Sequence, residues 1–188
     1  MSLAETSAPN LILTGFMGTG KSALGKYIAQ LWDFEFADTD KIIQSETGRT
    51  IPEIFATDGE AAFRELEKKC VAEWLPPARA VIATGGGIVT IPGMAELLRK
   101  RGIVVTLFAS PEEILRRTNI AKNRPLLETD GDPLERISTL LAAREQAYMN
   151  AGINVLTDRR SLHQLAQIVA RIYKNASARN RERARRAG

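Results

Sequence analysis

Between Gly15 and Ser22 the chain reads Gly-Phe-Met-Gly-Thr-Gly-Lys-Ser, which fits G-x-x-x-x-G-K-[ST]. Its setting constrains the fold as much as its letters do. The apolar run Asn10-Leu-Ile-Leu-Thr-Gly15 precedes it and reads as a buried strand. Ser22–Leu31 follows, with Leu24, Ile28 and Leu31 on one helical face. Glycines let such a loop curl so that backbone N–H groups point inward, and the helix start adds the positive end of its dipole. A loop of this kind cradles phosphate. Lys21 is expected to reach the β- and γ-phosphates of ATP, and the Ser22 hydroxyl to ligate Mg²⁺. Gly18, Thr19, Gly20, Lys21, Ser22 and Ala23 are assigned as the nucleotide-binding stretch.

The rest of the chain alternates in the same way. Strands are expected at Phe34–Ala37, Ala80–Ala83, Ile103–Phe108 and Ile153–Leu156. Helices are expected at Lys41–Thr47, Ile51–Thr57, Glu60–Leu75, Met94–Lys100, Pro111–Thr118, Pro133–Asn150 and Leu162–Lys174. Short apolar strands separated by helices imply an α/β fold with helices on both faces of a parallel sheet. The reading is a three-layer α/β/α sandwich of the P-loop nucleotide-binding type, with five parallel strands. Asn119–Asp132 is polar, carries Pro125 and Gly131, and is expected to be a mobile lid. Residues 1–9 are expected to be a flexible N-terminus, 10–174 a single domain with its lid at about 119–132, and 175–188 a basic tail. On parallel sheets ligands sit at the carboxyl ends of the strands. The polar motifs fall there: Gly15 onward, Asp38-Thr-Asp40, and Thr84-Gly-Gly-Gly87.

Composition narrows the class. At 188 residues, 44 % apolar and 26 % charged, the chain suits one soluble globular domain. No apolar run reaches the length of a membrane span, and Met1–Pro9 lacks the pattern of a secretory signal. Cys70 is the single cysteine, which suits a reducing compartment, so a cytoplasmic location and no membrane partner are expected. From Arg171 onward seven Lys or Arg meet one Glu, so this end carries +6 and the first 170 residues carry −2. The basicity belongs to the tail and reads as a solvated, frayed helix end; no nucleic acid is expected as a partner. The chain has neither the Asn-Lys-x-Asp reader of GTPases nor an apolar strand ending in Asp-Glu, as motor ATPases show. A small-molecule kinase fits its length.

Such a kinase needs an acceptor side. Asp38 and Asp40 lie two apart at a strand end and would project from one side if the strand continued. One acid can serve the metal shell and another the acceptor hydroxyl. Asp38 equally suits an N-cap ahead of the next helix. Arg64 and Glu67 are spaced to pair on a helix, which by itself indicates only a surface ion pair. The glycines 85–87 suggest a backbone that something approaches closely. Arg116-Arg117 and Arg124-Pro125 flank the lid, where an arginine can neutralise charge on a transferring phosphoryl group. Arg144 with Tyr148, one turn later, is also compatible with ordinary helix packing.

In order, Gly-Phe-Met-Gly-Thr-Gly-Lys-Ser, Asp38-Thr-Asp40, Ile54-Phe-Ala-Thr-Asp-Gly-Glu60 with Phe63-Arg64 and Glu67, Thr84-Gly-Gly-Gly87, Arg124-Pro-Leu-Leu127, and Arg144 with Tyr148 resemble the shikimate kinase family. The likeness runs from about Leu11 to the final helix. It implies transfer of the γ-phosphate of ATP, with Mg²⁺, to the 3-hydroxyl of shikimate by a monomer. It implies that Asp40 binds shikimate hydroxyls, with Asp40, Lys21 and Arg124 as the catalytic set. Arg64 and Arg144 would grip the carboxylate, with Glu67 orienting Arg64. Gly85, Gly86 and Gly87 would meet the substrate through their backbone, and Phe55 and Phe63 would wall its ring. Asp38 would join Ser22 at the metal, Arg117 would lie against adenine, and Arg160 would contact ATP. The loop Thr157-Asp-Arg-Arg-Ser-Leu162 departs from the family, where proline is frequent. A gluconate or nucleoside-monophosphate kinase would share the cradle and differ on the acceptor side; an RNA-associated module would depend on the tail.

Overall fold

The protein is described from a computed structural model covering residues 8–120 and 132–187. Arg124 and residues 121–131 of the expected lid lie outside the described residues, as does most of the N-terminal segment. Five strands, β1 (Asn10–Gly15), β2 (Glu35–Asp38), β3 (Ala80–Ala83), β4 (Gly102–Phe108) and β5 (Ile153–Leu156), form one sheet in the order β2-β3-β1-β4-β5. Every neighbouring pair is parallel.

All six residues of β1 are buried, because both faces of the sheet are covered. Side chains alternate along a strand. Leu11 and Leu13 pack with Leu24, Ile28, Leu165 and Val169, from helices α1 (Lys21–Trp32) and α7 (Leu162–Ala187). Ile12 points the other way, into a core with Ile43, Ile54, Met94 and Ile137. Those residues come from α2 (Thr39–Thr47), α3 (Ile51–Lys69), α4 (Met94–Arg101) and α6 (Pro133–Ala151). Helix α5 (Pro111–Ile120) adds Ile114 to the same side. The helices that follow β1 and β3, two adjacent strands, therefore cover opposite faces. A crevice opens between the carboxyl ends of those strands.

At the mouth of that crevice Gly15 pairs with Leu107 and has φ +134°. A Cβ there would stand 2.2 Å from the Leu107 carbonyl oxygen. Neither backbone can yield without breaking the β1–β4 ladder, so Gly15→Ala should cost roughly 3 kcal/mol, about 6–12 °C in Tm. Thermal unfolding measures this; an unchanged Tm would mean the two strands do not approach this closely.

The predicted pair of helices over 51–75 is one run, α3, broken at Gly59 (φ 79°, ψ 176°). Thr50 and Glu53 form a capping box at its start. Its end widens into a π-helical turn, Cys70–Trp74, which the Leu75 N–H closes on the Cys70 carbonyl at 3.1 Å. Helix α7 continues to Ala187, beyond the expected end at Lys174. Its burial stops at Ser177, and Arg179, Arg181 and Arg183 are exposed. Among the described residues no helix is long and apolar enough to cross a membrane.

Candidate active site

The phosphate loop opens the site. Gly18 (φ +76°) and Gly20 (φ +96°) take the left-handed turns that only glycine adopts without strain. Helix α1 starts at Lys21 with no side-chain cap and no acid in its first turn. Its first N–H groups and the positive end of its dipole therefore face the crevice. Lys21 Nζ donates to the carbonyls of Gly15 (2.8 Å) and Phe16 (2.9 Å), inside the loop that it would serve. Thr19 is buried and its hydroxyl donates to the Phe16 carbonyl at 2.8 Å, which braces the loop and turns its side chain away from the cleft.

A cleft of about 380 Å³ lies over this loop. Gly18, Gly20, Lys21, Ser22, Ala23 and Arg117 line it on the nucleotide side. Asp38, Asp40, Gly85 and Gly86 line it on the other, with Met17 and Thr84, which the sequence reading placed in motifs without a role of their own. A larger groove of about 620 Å³ between α3 and α4 carries none of the predicted residues.

Asp38 does two jobs. Its Oδ1 accepts from the Asp40 N–H at 3.1 Å and caps α2, and its Oδ2 accepts from the Ser22 hydroxyl at 3.3 Å. The helix starts at once, so the two acids do not project from a continued strand, yet both reach the cleft. Ser22 and Asp38 offer hard oxygens and nothing more; among the described residues no group of three or more His, Cys, Asp or Glu could hold a metal. That donor set fits Mg²⁺, which keeps most of its waters and takes one or two protein oxygens beside substrate phosphates.

Asp40 is the acid under stress. Its Oδ1 is buried and finds no hydrogen-bond partner among the described residues. Burial, and next the charge of Asp38, push its pKa above the ordinary carboxylate value; Lys21 and Arg64 pull the other way. Thr39 holds this corner together. Its buried hydroxyl accepts from the Gly85 N–H at 2.9 Å, tying the end of β2 to the end of β3. Sequence reading passed over Thr39, and the one available signal was its place between the two aspartates. Beneath it Cys70 is fully buried, its Sγ 3.9 Å from the Thr39 carbonyl. Burial, with Asp40 and Glu67 nearby, pushes that thiol up to about 12.

Arg64 and Glu67 pair as their spacing suggested, at 2.6 Å, but Glu67 is only 1 % exposed, which no surface pair would be. Burial raises its pKa although Arg64 opposes the shift. A Cβ on Gly85 would stand 2.9 Å from Glu67 Oε1 and 3.0 Å from Asp40 Oδ1, so a side chain there would displace both acids. Phe63 packs against Phe55 with ring centroids 4.8 Å apart, and the Arg64 guanidinium lies 5.7 Å from the Phe63 centroid. Arg144 lies over the Phe16 ring at 6.0 Å. Tyr148 is 1 % exposed and its hydroxyl donates to the Gly86 carbonyl, so it is a bolt on the glycine run and no surface packing residue. Burial raises its pKa, and Arg144 beside it lowers it in part.

Arg117, on α5, ties the phosphate loop to the loop after β5 and pairs with an acid of its own helix. It donates to the Gly18 carbonyl (3.3 Å), the Thr157 hydroxyl (2.9 Å) and Glu113 (2.7 Å). Arg160 does not line the cleft; its guanidinium rests on the Leu156 carbonyl, because its backbone turns away after Arg159 (φ +55°).

Comparison with known proteins gives the family. The shikimate kinase family profile matches residues 17–176. A shikimate kinase of Caldanaerobacter subterraneus subsp. tengcongensis is 43 % identical over 87 % of this chain and 95 % of its own. One from Thermus thermophilus is 44 % identical over 89 % and 91 %. Among solved structures, a shikimate kinase from Acinetobacter baumannii, described as in complex with shikimate, superposes with a TM-score of 0.82 at 37 % identity, covering 92 % of this chain and 97 % of that one. A phosphate loop, two acids and an arginine with its buried glutamate, in that order along so similar a chain, place it in the shikimate kinase family.

Proposed function

We propose that this enzyme transfers the γ-phosphate of ATP to the 3-hydroxyl of shikimate, giving shikimate 3-phosphate and ADP, as a cytoplasmic monomer that uses Mg²⁺. The observation that carries the reading is a juxtaposition. An unpartnered buried carboxylate oxygen of Asp40 and the guanidinium of Arg64 stand at the two ends of Gly85–Gly87, beside the phosphate loop. Shikimate is a small ring with one carboxylate and three hydroxyls, and needs a cation for the former and an acid for the latter. A forked arginine suits a planar carboxylate better than lysine does.

The roles follow. Lys21 would leave its two carbonyls for the β- and γ-phosphates, joined by backbone N–H groups from Gly18 to Ala23. The Ser22 hydroxyl and Asp38 would hold Mg²⁺, which would supply charge neutralisation at the phosphates. Asp40 accepts the hydrogen of the attacking hydroxyl. Arg64, steadied by Glu67, and Arg144 take the carboxylate, while Phe55 and Phe63 flank the ring. Arg117 meets the adenine side, and Arg124 would add positive charge at the transferring group. Arg160 is left with the β5 loop.

Coupled ADP release tests the reading, with shikimate, gluconate and a nucleoside monophosphate as acceptors. Stimulation by shikimate alone is expected. Slow ATP hydrolysis indifferent to shikimate would leave the nucleotide site standing and remove every acceptor-side role.

A further inference from the structure

Arg64 is held by two acids of opposite character. Glu67, 1 % exposed, takes Nη1 at 2.6 Å. Glu60, 67 % exposed, takes Nε at 3.2 Å and Nη2 at 2.7 Å through a single oxygen, Oε1. A guanidinium presents two flat approaches to a carboxylate: end on across Nη1 and Nη2, or side on across Nε and Nη2. The end faces Gly87, where a side chain's Cβ would stand 3.1 Å from both Nη1 and Nη2, and Glu67 already claims Nη1. The open approach is the side edge, and Glu60 occupies it.

We propose that Glu60 is an exchangeable counter-ion that holds the side edge of Arg64 in the substrate-free enzyme and yields it to the carboxylate of the substrate. The inference rests on the shikimate reading given above. It divides the work between the two acids. Glu67 keeps the arginine aimed throughout, because it is buried and takes Nη1, which the side edge does not use. Glu60 keeps the edge satisfied until substrate arrives, and its exposure makes release easy, since an exposed pair four residues apart on a helix contributes little. The break at Gly59 lies immediately before Glu60, so this acid stands at the first position of the second helical stretch, where a negative charge is favoured once it lets go. Glu60 is thus a positioning residue that sets substrate affinity by competition.

The test is Glu60→Gln, which keeps the size and removes the charge. Shikimate KM, and Kd by titration calorimetry, should fall roughly two- to five-fold, the fold-change equivalent to one exposed ion pair. Values of kcat and of KM for ATP should not move. The Arg64 Nε–H resonance gives a direct readout. It should be weakened by solvent exchange in the free variant and restored by shikimate, whereas in the parent it persists throughout. A shikimate KM that rises or stays constant overturns the proposal, because Glu60 would then be aiding substrate or ignoring it. A parent that fails to bind shikimate, yet shows Arg64 surrendering Glu60 to benzoate, would remove the substrate reading and keep the counter-ion.

Discussion

Lys21→Met is expected to lower shikimate-dependent ADP release by roughly 10³-fold or more, with the fold intact. The side chain lies along the loop with its ammonium on the Gly15 and Phe16 carbonyls, so methionine replaces the stem and deletes the charge with those two hydrogen bonds. In the transition state the transferring phosphoryl group spreads negative charge over its oxygens, and a fixed cation there acts without reorganisation. The loop itself is braced by other contacts, Thr19 on Phe16 and Gly15 against Leu107, so the Tm should stay within a few degrees of the parent. A steady-state assay beside a melting curve decides the matter. A variant that folds and turns over within tenfold of the parent would remove Lys21 from the chemistry.

Asp40→Asn should lower kcat by roughly 10²–10⁴-fold, the range of a positioned acid or base. Two further readouts follow from its environment. Because burial and Asp38 raise the Asp40 pKa, the parent's kcat/KM should decline on the acid side at a pH above the ordinary carboxylate value, as the group takes up its proton. The variant should lack that limb. A limb that persists unaltered would belong to Glu67, also raised by burial, and would take Asp40 out of the proton's path. Stability moves the other way. A folded-state pKa above the unfolded one means that proton binding favours the folded form, a gain present below the unfolded pKa and lost as pH rises through the folded one. Above its folded-state pKa the ionised Asp40 is therefore a burden on the fold, and the asparagine variant should melt no lower than the parent. Loss of both activity and several degrees of Tm would mean that Asp40 is structural.

The three central strands, β1, β3 and β4, were readable because each is a short apolar run covered on both faces, while the edge strands β2 and β5, half exposed, were marked by their place between helices. The cradle was readable because glycine, lysine and serine at fixed spacing have few other uses. What was hidden depends on neighbours distant in sequence. Thr39 matters because Gly85 lies 46 residues away, and Tyr148 matters because the Gly86 carbonyl meets its hydroxyl. Arg64 with Glu67 looked like a surface pair, since spacing says nothing of burial. Arg160 was named as an ATP contact through the family resemblance, and its guanidinium here rests on the Leu156 carbonyl, a position that loop sequence does not announce. The π-helical turn at Cys70–Trp74 had no herald before the two prolines that close it, and α7 outran its apolar stripe because arginine and alanine continue a helix with no core to face.

The burial of Cys70 has a practical side. Thiol reagents attack the thiolate, and with its pKa pushed up to about 12 this group is ionised in roughly one molecule in 10⁵ at neutral pH. The chain is in effect cysteine-free toward maleimides while folded. A single cysteine at an exposed position, such as Leu31→Cys on α1 at 58 % exposure, would take a fluorophore alone, with no need to remove the native residue beneath the substrate site. Slow reaction of Cys70 itself would then report how often that floor opens.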